Sequence, residues 1–163
     1  MQTMNDSQLQ ALFKIVEKEA AELFGVAGPV DEAKIDEAEK LLGLPIRGSY
    51  REFIKQLGSV HEGFLGLAPE DNVAETGVYA LTKSGIEEND FEKEWIMVLA
   101  NFEDGILGAL DTSQMNEAGE APVLMMNVDP VCEETGHTNL QKYADSFYEA
   151  LMHYYGVSED DLK

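Results

Sequence analysis

Hydrophobic residues in the first sixty positions recur at steps of three and four, which is the period of a helix with one buried face. Each of three such stretches is preceded by residues that favour helix N-caps and followed by a glycine, which favours a helix end. The pattern therefore predicts three helices, from Asn5-Asp6-Ser7 to Gly25, from Asp31 to Gly43, and from Ser49 to Gly58.

Beyond residue 60 the hydrophobic residues form short runs between turn residues, which is typical of β-strands. Five strands are predicted, over Phe64–Leu67, Val78–Leu81, Trp95–Ala100, Gly105 or Ile106 to Leu110, and Val123–Val128. Residues 86–94 are predicted to form a loop or a short helix, and residues 115–122 a polar connection. A last helix is predicted from Thr138 or Asn139 to Gly156, with a frayed acidic tail over residues 157–163.

The clearest strand pair lies between Trp95 and Asp111. Two hydrophobic runs flank the polar break Asn101–Gly105, and such a break indicates a β-hairpin. Helices, then strands, then a helix predict an α+β fold with a central, largely antiparallel sheet and a C-terminal helix packed on it. With 163 residues and 44% hydrophobic content, residues 1–163 are expected to form a single domain.

The charge is strongly one-sided. Eleven Lys and Arg residues face 32 Asp and Glu residues, which gives a formal net charge of −21. A negative field repels phosphate backbones and anionic lipids, so we expect neither direct nucleic-acid binding nor membrane binding. Cations or a basic protein surface are the natural partners.

The single cysteine, Cys132, cannot form an intrachain disulfide, as is typical of a reduced, intracellular protein. The polar N-terminal residues contain no hydrophobic signal core. No hydrophobic stretch approaches the ~20 residues of a membrane-spanning helix. We therefore expect a soluble protein of the cytoplasm.

Several segments in this order resemble the SUKH superfamily. In the helical half they are Ile35–Glu39, Leu42–Pro45 and Ser49–Ile54, where a helix pair joined by a Leu-Pro element precedes a Tyr-x-x-Phe helix. In the second half they are Trp95–Ala100, the Asp104-Gly105 turn, Leu110–Ser113, Pro122-Val123 and Asp145–Tyr148. The resemblance covers about residues 31–155 and leaves residues 1–25 as an additional helix. The chain departs from the family's Asn-Gly-Gly-like turn at Leu57–His61, so we expect the following loop to have a different shape.

The resemblance implies a domain without enzymatic activity that binds other proteins. Many bacterial members are similar to immunity proteins, which bind and neutralise a cognate toxin, often a nuclease. Fungal members are similar to scaffolds that regulate cell-wall assembly and signalling. We take an immunity protein as the leading hypothesis and a regulatory scaffold as its alternative.

Residues with catalytic or metal-binding chemistry are few. Ligand types suitable for zinc occur together at Asp129, Cys132, Glu133 and His137. Their Cys-x-x-x-x-His spacing matches no established zinc motif, so we expect no metal and no other cofactor; a metal-dependent hydrolase is the third hypothesis. His61 and His153 have no nucleophile motif beside them, and no catalytic residue is assigned.

Three acidic runs in predicted loops flank the sheet strands, and they are the candidate partner-binding residues. Together with two aromatic anchor candidates, the set is Glu87, Glu88, Asp90, Phe91, Glu92, Glu94, Trp95, Glu117, Glu120, Glu133 and Glu134. If the runs meet at one rim of the sheet, they would attract the basic substrate cleft of a nuclease-like toxin and occlude it. The alternatives are a solvated surface for the acidic runs and a core position for Trp95.

Overall fold

The computed structural model describes most of the chain. The described residues are 4–23, 25–61, 63–88, 92–101, 105–127 and 141–162, with Glu88 and Asn127 described by their backbones alone. They form an α+β domain in which helices from the N-terminal half and a C-terminal helix pack on an antiparallel sheet. This confirms the predicted fold class. No helix among these residues is long and hydrophobic enough to cross a membrane.

The helices are α1 (Asp6–Ala21), α2 (Glu32–Leu42), α3 (Gly48–Leu57), α4 (Gly77–Glu88) and α5 (Phe147–Tyr155). The three N-terminal helices are confirmed, although α1 ends before Gly25. Asn5 caps α1 by accepting a hydrogen bond from the Gln8 backbone N–H at 2.8 Å, and the Gln8 side chain accepts one in return. Asp31 caps α2 by accepting from the Lys34 backbone N–H at 3.0 Å, and Gly43 ends that helix in the left-handed conformation.

The sheet is a four-stranded meander. Its strands are β1 (Trp95–Asn101), β2 (Ile106–Asp111), β3 (Val123–Asn127) and β4 (Gln141–Ala144). Each strand pairs antiparallel with the next, in the order β1-β2-β3-β4. Trp95 is opposite Asp111 and Asn101 is opposite Ile106, so the predicted hairpin is confirmed.

Hydrophobic residues cover both faces of the sheet. On one face, strand residues join the core formed by α1, α2, α3 and α5. Four aromatic rings lie at its centre, and the Phe147 ring contacts those of Tyr50, Phe53 and Phe64 with centroids 4.8, 5.1 and 5.6 Å apart. On the other face a smaller buried cluster contains Met97, Ala100, Leu107, Ala109 and Met126. β1 side chains therefore contribute to two hydrophobic layers. The irregularity between Met97 and Leu99 interrupts the strict alternation, so both Val98 and Leu99 join the first layer.

The outer edge of β1 is also covered. The backbone N–H of Leu65 donates to the Val98 carbonyl at 2.8 Å, and that of Ala100 donates to the Gly63 carbonyl at 3.1 Å. The Thr82 hydroxyl of α4 accepts from the Met97 N–H at 3.0 Å. The prediction of a strand at Phe64–Leu67 is wrong, because this segment makes only an isolated bridge to the edge of β1.

The predicted strand Val78–Leu81 is part of α4 instead. Val78, Thr82 and Gly85 are all buried, and steps of four and three place them on one helical face. α4 packs on β1. A run of four hydrophobic residues fits a strand or one turn of a helix, so the local sequence did not distinguish the two.

The predicted start of the last helix is also wrong, because residues 141–144 form β4 and α5 begins at Phe147. Ser146 caps α5 by accepting from the Glu149 N–H at 3.2 Å. The Ser-x-x-Glu pattern, a signal for helix starts, marks this boundary in the sequence. The tail is not frayed either. Glu159–Leu162 form a 3₁₀ turn that contacts α1, and Leu162 is buried.

Two backbone segments cross closely after α3, at Gly58 and at Gly66-Leu67. Gly58 has φ +77°, and its carbonyl accepts from the Leu67 N–H at 3.0 Å. A Cβ atom on Gly66 would lie 1.9 Å from the Gly58 carbonyl oxygen. Only a residue without a side chain fits position 66 while this crossing is kept.

We expect Gly66→Ala to lower the free energy of unfolding by more than ~1 kcal/mol, because one of the two backbone segments must move. Gly77→Ala is the matched control, since its Cβ would meet only the Leu65 side chain at 3.5 Å. It should change stability by no more than ~0.5 kcal/mol. Urea unfolding monitored by circular dichroism measures both, and equal stabilities would contradict the close crossing.

Candidate protein-binding surface

The antiparallel pairing brings several chain segments to one end of the sheet. β1 begins, β2 ends, β3 begins and β4 ends there, because Trp95 pairs with Asp111, Leu110 with Val123, and Val123 with Ala144. The turn before β1 and the connection between β2 and β3 are therefore neighbours at this end. α4 ends at Glu88, four residues before Glu92, so its C-terminal end lies within about 15 Å of this turn.

Four of the predicted partner-binding residues lie at this end with exposed side chains. We call them the acidic rim: Glu87 at the end of α4, Glu92 and Glu94 in the turn before β1, and Glu117 in the β2–β3 connection. Lys93 is the one basic residue within the turn. The rim thus carries a net negative charge on three segments that sequence alone could not place together.

Hydrogen bonds fix the turn before β1. The Glu94 carbonyl accepts from both the N–H and the hydroxyl of Thr112, at 3.0 and 2.6 Å. Asp111 in turn accepts from the backbone and hydroxyl of Ser113, at 3.1 and 2.6 Å. The segment Leu110–Ser113, which carries part of the family resemblance, therefore holds the turn that presents Glu92 and Glu94.

The connection that carries Glu117 is a compact turn. The Asn116 side chain accepts from the N–H groups of Ala118 and Glu120 at 2.9 and 3.0 Å. The Asn116 N–H donates to the Glu120 carbonyl at 2.8 Å. Glu117 stays exposed at the tip, so its carboxylate is available to a partner.

Glu120 was predicted as part of the same acidic run as Glu117, but its side chain is not exposed in the same way. Its carboxylate is partly buried and accepts from the N–H and the hydroxyl of Ser49, both at 2.7 Å. The backbone N–H of Phe147, the first residue of α5, donates to it as well. Glu120 thus caps the N-termini of α3 and α5, and we leave it out of the acidic rim.

Ser49 does not cap α3 as the sequence indicated. The N-cap residue is Arg47, whose side chain makes no capping bond. Glu120 supplies the cap from a distant part of the chain, and the Ser49 hydroxyl also accepts from the Tyr148 N–H at 3.1 Å. Local pattern analysis misses this cap because its acceptor lies 71 residues away.

Trp95 is half-buried and packs against the hydrophobic cluster on the α4 side of the sheet. Its indole therefore contributes to packing and also lies next to the acidic rim. A role as a binding anchor stays a prediction. Phe91, Asp90, Glu133 and Glu134 lie outside the described residues, and Glu88 is described by its backbone alone.

The metal-ligand candidates Asp129, Cys132, Glu133 and His137 also lie outside the described part of the chain. Within the described part no group of His, Cys, Asp and Glu side chains is arranged to hold a metal ion. His61 and His153 are both exposed. His153 lies 3.3 Å from a Glu149 oxygen one turn away on α5, an arrangement typical of a helix surface pair.

Some basic residues elsewhere are paired within the chain. Arg51 lies 2.8 Å from Asp36 and 3.2 Å from Glu39, which ties α3 to α2. The same Glu39 carboxylate accepts from the Ile46 N–H at 2.8 Å and so fixes the Leu-Pro element between the helices. These residues belong to the segments that resemble the SUKH superfamily, so that signature describes the scaffold.

The fold and the exposed acidic rim together describe a small α+β domain with a negatively charged end of its sheet. A profile of the SMI1 / KNR4 family (SUKH-1) matches residues 29–153. The chain therefore belongs to the SMI1 / KNR4 family, as its motifs predict. None of the curated proteins compared with the chain matches it. The family is generally non-enzymatic, and membership supports a role in protein–protein interaction.

Sequence reasoning missed a second acidic surface, in the loop that leads to α4. Glu70, Asp71 and Glu75 are exposed there. The wrong strand assignment at residues 78–81 placed this loop between two strands. Its signal in the sequence is the Glu-Asp pair followed four residues later by another glutamate.

We expect Glu120→Ala to lower the free energy of unfolding by about 1–3 kcal/mol, because helix N–H donors at Ser49 and Phe147 lose a charged acceptor. Glu117→Ala, three residues away but exposed, should change it by less than ~0.5 kcal/mol. Urea unfolding measures both. Equal small effects would contradict the capping role.

The cap also predicts a pH dependence. Burial raises the pKa of Glu120 above the usual value for glutamate, although hydrogen bonds from Ser49 and Phe147 oppose this. A folded-state pKa above the unfolded value gives stability that is complete below the unfolded pKa and is lost as pH rises through the folded pKa. The stability difference between wild type and Glu120→Ala should therefore shrink from acidic to neutral pH. Unfolding midpoints across that range test the sign, and a growing difference would contradict it.

Proposed function

We propose that this chain is an immunity protein that binds a cognate toxin domain and neutralises it by covering its active or substrate-binding surface. The proposal rests on family membership and on one structural observation: three segments present an exposed acidic rim at one end of the sheet. The partner that fits such a rim is basic, as the substrate cleft of a nuclease is. Occlusion is stoichiometric and requires no catalytic group on this chain.

Charge supports the choice of partner. The formal net charge is −21, and several cations are already engaged within the fold. Arg51, Lys55 and Lys142 lie in ion pairs, and the Lys34 ammonium donates to backbone carbonyls. Because 32 acidic residues outnumber 11 basic ones, a basic partner is attracted towards this chain, and such steering raises association rates.

The rim is also preorganised. Thr112 and Asp111 hold the turn of Glu92 and Glu94, and Asn116 holds the turn of Glu117. Binding then costs less ordering of the backbone than it would from flexible loops. Aromatic anchors usually dominate affinity, and Trp95 beside the rim is the described candidate.

A regulatory scaffold is the alternative, because the fungal members in the resemblance described above are similar to scaffolds. The two differ in partner number and stoichiometry. Capture of tagged protein from native cell extract at low and physiological salt, followed by mass spectrometry, separates them. One dominant basic partner in near-equal amount supports an immunity protein, whereas several substoichiometric partners support a scaffold.

The captured partner must then be assayed as a toxin. Its activity should fall in proportion to added chain and reach zero near a 1:1 ratio. Full toxin activity in the presence of excess bound chain would contradict neutralisation by occlusion. Metal analysis of protein purified without chelator addresses the hydrolase hypothesis, because a metal-free protein would end it.

The triple variant Glu87→Lys, Glu92→Lys and Glu94→Lys should slow association with the toxin by about tenfold or more at low salt, since it reverses the steering charge. Wild-type association should slow as salt rises, because the Debye length shrinks to ~8 Å at physiological ionic strength. Stopped-flow or surface-based kinetics measure both effects.

The matched control reverses three exposed residues at the C-terminal end of α1: Glu17, Glu19 and the C-cap residue Glu22. It makes the same change in net charge on a helix that packs against α3 and α5. Its association rate should fall several-fold less than that of the rim variant. Equal rates in both variants, or a wild-type rate insensitive to salt, would place the binding surface elsewhere.

A further inference from the structure

A narrow groove of about 230 Å³ opens beside the N-terminal end of α4. It lies between the turn after α3, the segment that covers the edge of β1, and the loop that leads into α4. Its hydrophobic lining includes Val60, Leu65 and Leu67, and its exposed lining includes Asp71 and Glu75. Hydrophobic walls with carboxylates at the exposed side suit a long side chain that ends in a cation.

The groove walls are fixed within the fold. The Lys34 ammonium donates to the carbonyls of Ala68, Pro69 and Asp71 at 3.1, 2.9 and 2.6 Å, which fastens the acidic loop to α2. The Ser59 hydroxyl donates to the Leu67 carbonyl at 3.1 Å across the groove floor. The site is therefore largely preformed, as ligand pockets usually are.

The two carboxylates are available to a ligand. Neither the Asp71 nor the Glu75 side chain makes a hydrogen bond or an ion pair with the described residues. Two basic side chains lie nearby. The three ammonium hydrogens of Lys34 are taken by the three carbonyls, and His61 is part of the groove lining. Glu70, also exposed, adds a further negative charge to the loop.

The groove and the acidic rim occupy opposite ends of one helix. Gly77, the first residue of α4, lines the groove, and Glu87 lies ten residues along that helix. At 1.5 Å per residue their backbones are about 15 Å apart. One protein interface of standard size, about 800 Å² on each partner, spans both.

We propose that this groove receives one lysine or arginine side chain of the toxin, with the methylene stem against Leu65 and the accessible edge of Val60 and the cation at Asp71 and Glu75. This assignment rests on the proposed function and names a second contact within the same interface. The rim sets the association rate, and the filled groove slows dissociation.

The groove can be tested without the toxin. The probes are N-acetyl-arginine amide and N-acetyl-lysine amide, with N-acetyl-norleucine amide as a neutral probe of similar length. In NMR titrations of the full chain at mildly alkaline pH, a basic probe should shift the amide signals of Ser59, Gly66 and Gly77 in a saturable way. Norleucine amide should bind about tenfold more weakly, as expected for loss of a charge-assisted contact.

The double variant Asp71→Asn and Glu75→Gln should weaken the basic probe about tenfold, whereas Glu17→Gln with Glu22→Gln should leave it unchanged. Both pairs keep side-chain size and remove two charges from exposed positions. Absence of saturable shifts with both basic probes would overturn the assignment. Equal binding of norleucine amide, or equal weakening by both double variants, would also overturn it.

The probe titrations test the groove independently of the proposed immunity function. If the chain neutralises no toxin but binds the basic probes, the groove stands and the immunity role falls. If the toxin is found, the Asp71 and Glu75 double variant should raise its dissociation rate several-fold and leave the salt dependence of association unchanged. An unchanged dissociation rate would remove the groove from the interface while leaving the rim in place.

Discussion

The carboxylate of Glu120 joins parts of the fold that are far apart in sequence. It accepts hydrogen bonds from Ser49, 71 residues away, and from the start of α5. Helix N-termini present unpaired N–H groups and a partial positive charge, so one anion can serve two of them. Tyr50, which follows Ser49, and Phe147, the first residue of α5, then meet at the aromatic centre of the core with ring centroids 4.8 Å apart. The connection between β2 and β3 thereby fixes how α3 and α5 meet on the sheet.

Much of this architecture could be predicted from local patterns. The α1–α3 periodicity and the Trp95–Asp111 hairpin were predicted because each element carries its own signal, in caps or in hydrophobic alternation. α4 was missed because a short hydrophobic run satisfies both helical and strand periods until its partner surface is known. The cap by Glu120 was missed for a different reason: a carboxylate in a polar connection looks the same whether it faces solvent or a helix end. Polar contacts between residues far apart in the chain produce no repeating pattern in the sequence.

The same distinction separates the scaffold from the binding surface. Arg51 pairs with Asp36 and Glu39, and Asp111 caps the turn after β2. These residues carry the family resemblance because the fold requires their contacts. The acidic rim and the Asp71–Glu75 loop have exposed carboxylates that the fold does not require. Motifs therefore identified the family, whereas the partner must be inferred from charge and shape.

In the proposed interface, the arrangement along α4 constrains a partner more than net charge does. Charge alone attracts every basic protein and sets only the rate of encounter. A groove with hydrophobic walls accepts a single long side chain, and a rim about 15 Å away along the helix requires further basic groups at that spacing. A partner must satisfy both conditions with one rigid surface. Because mismatched partners would leave either the rim or the groove unfilled, discrimination arises from their separation, which the packing of α4 on β1 holds fixed.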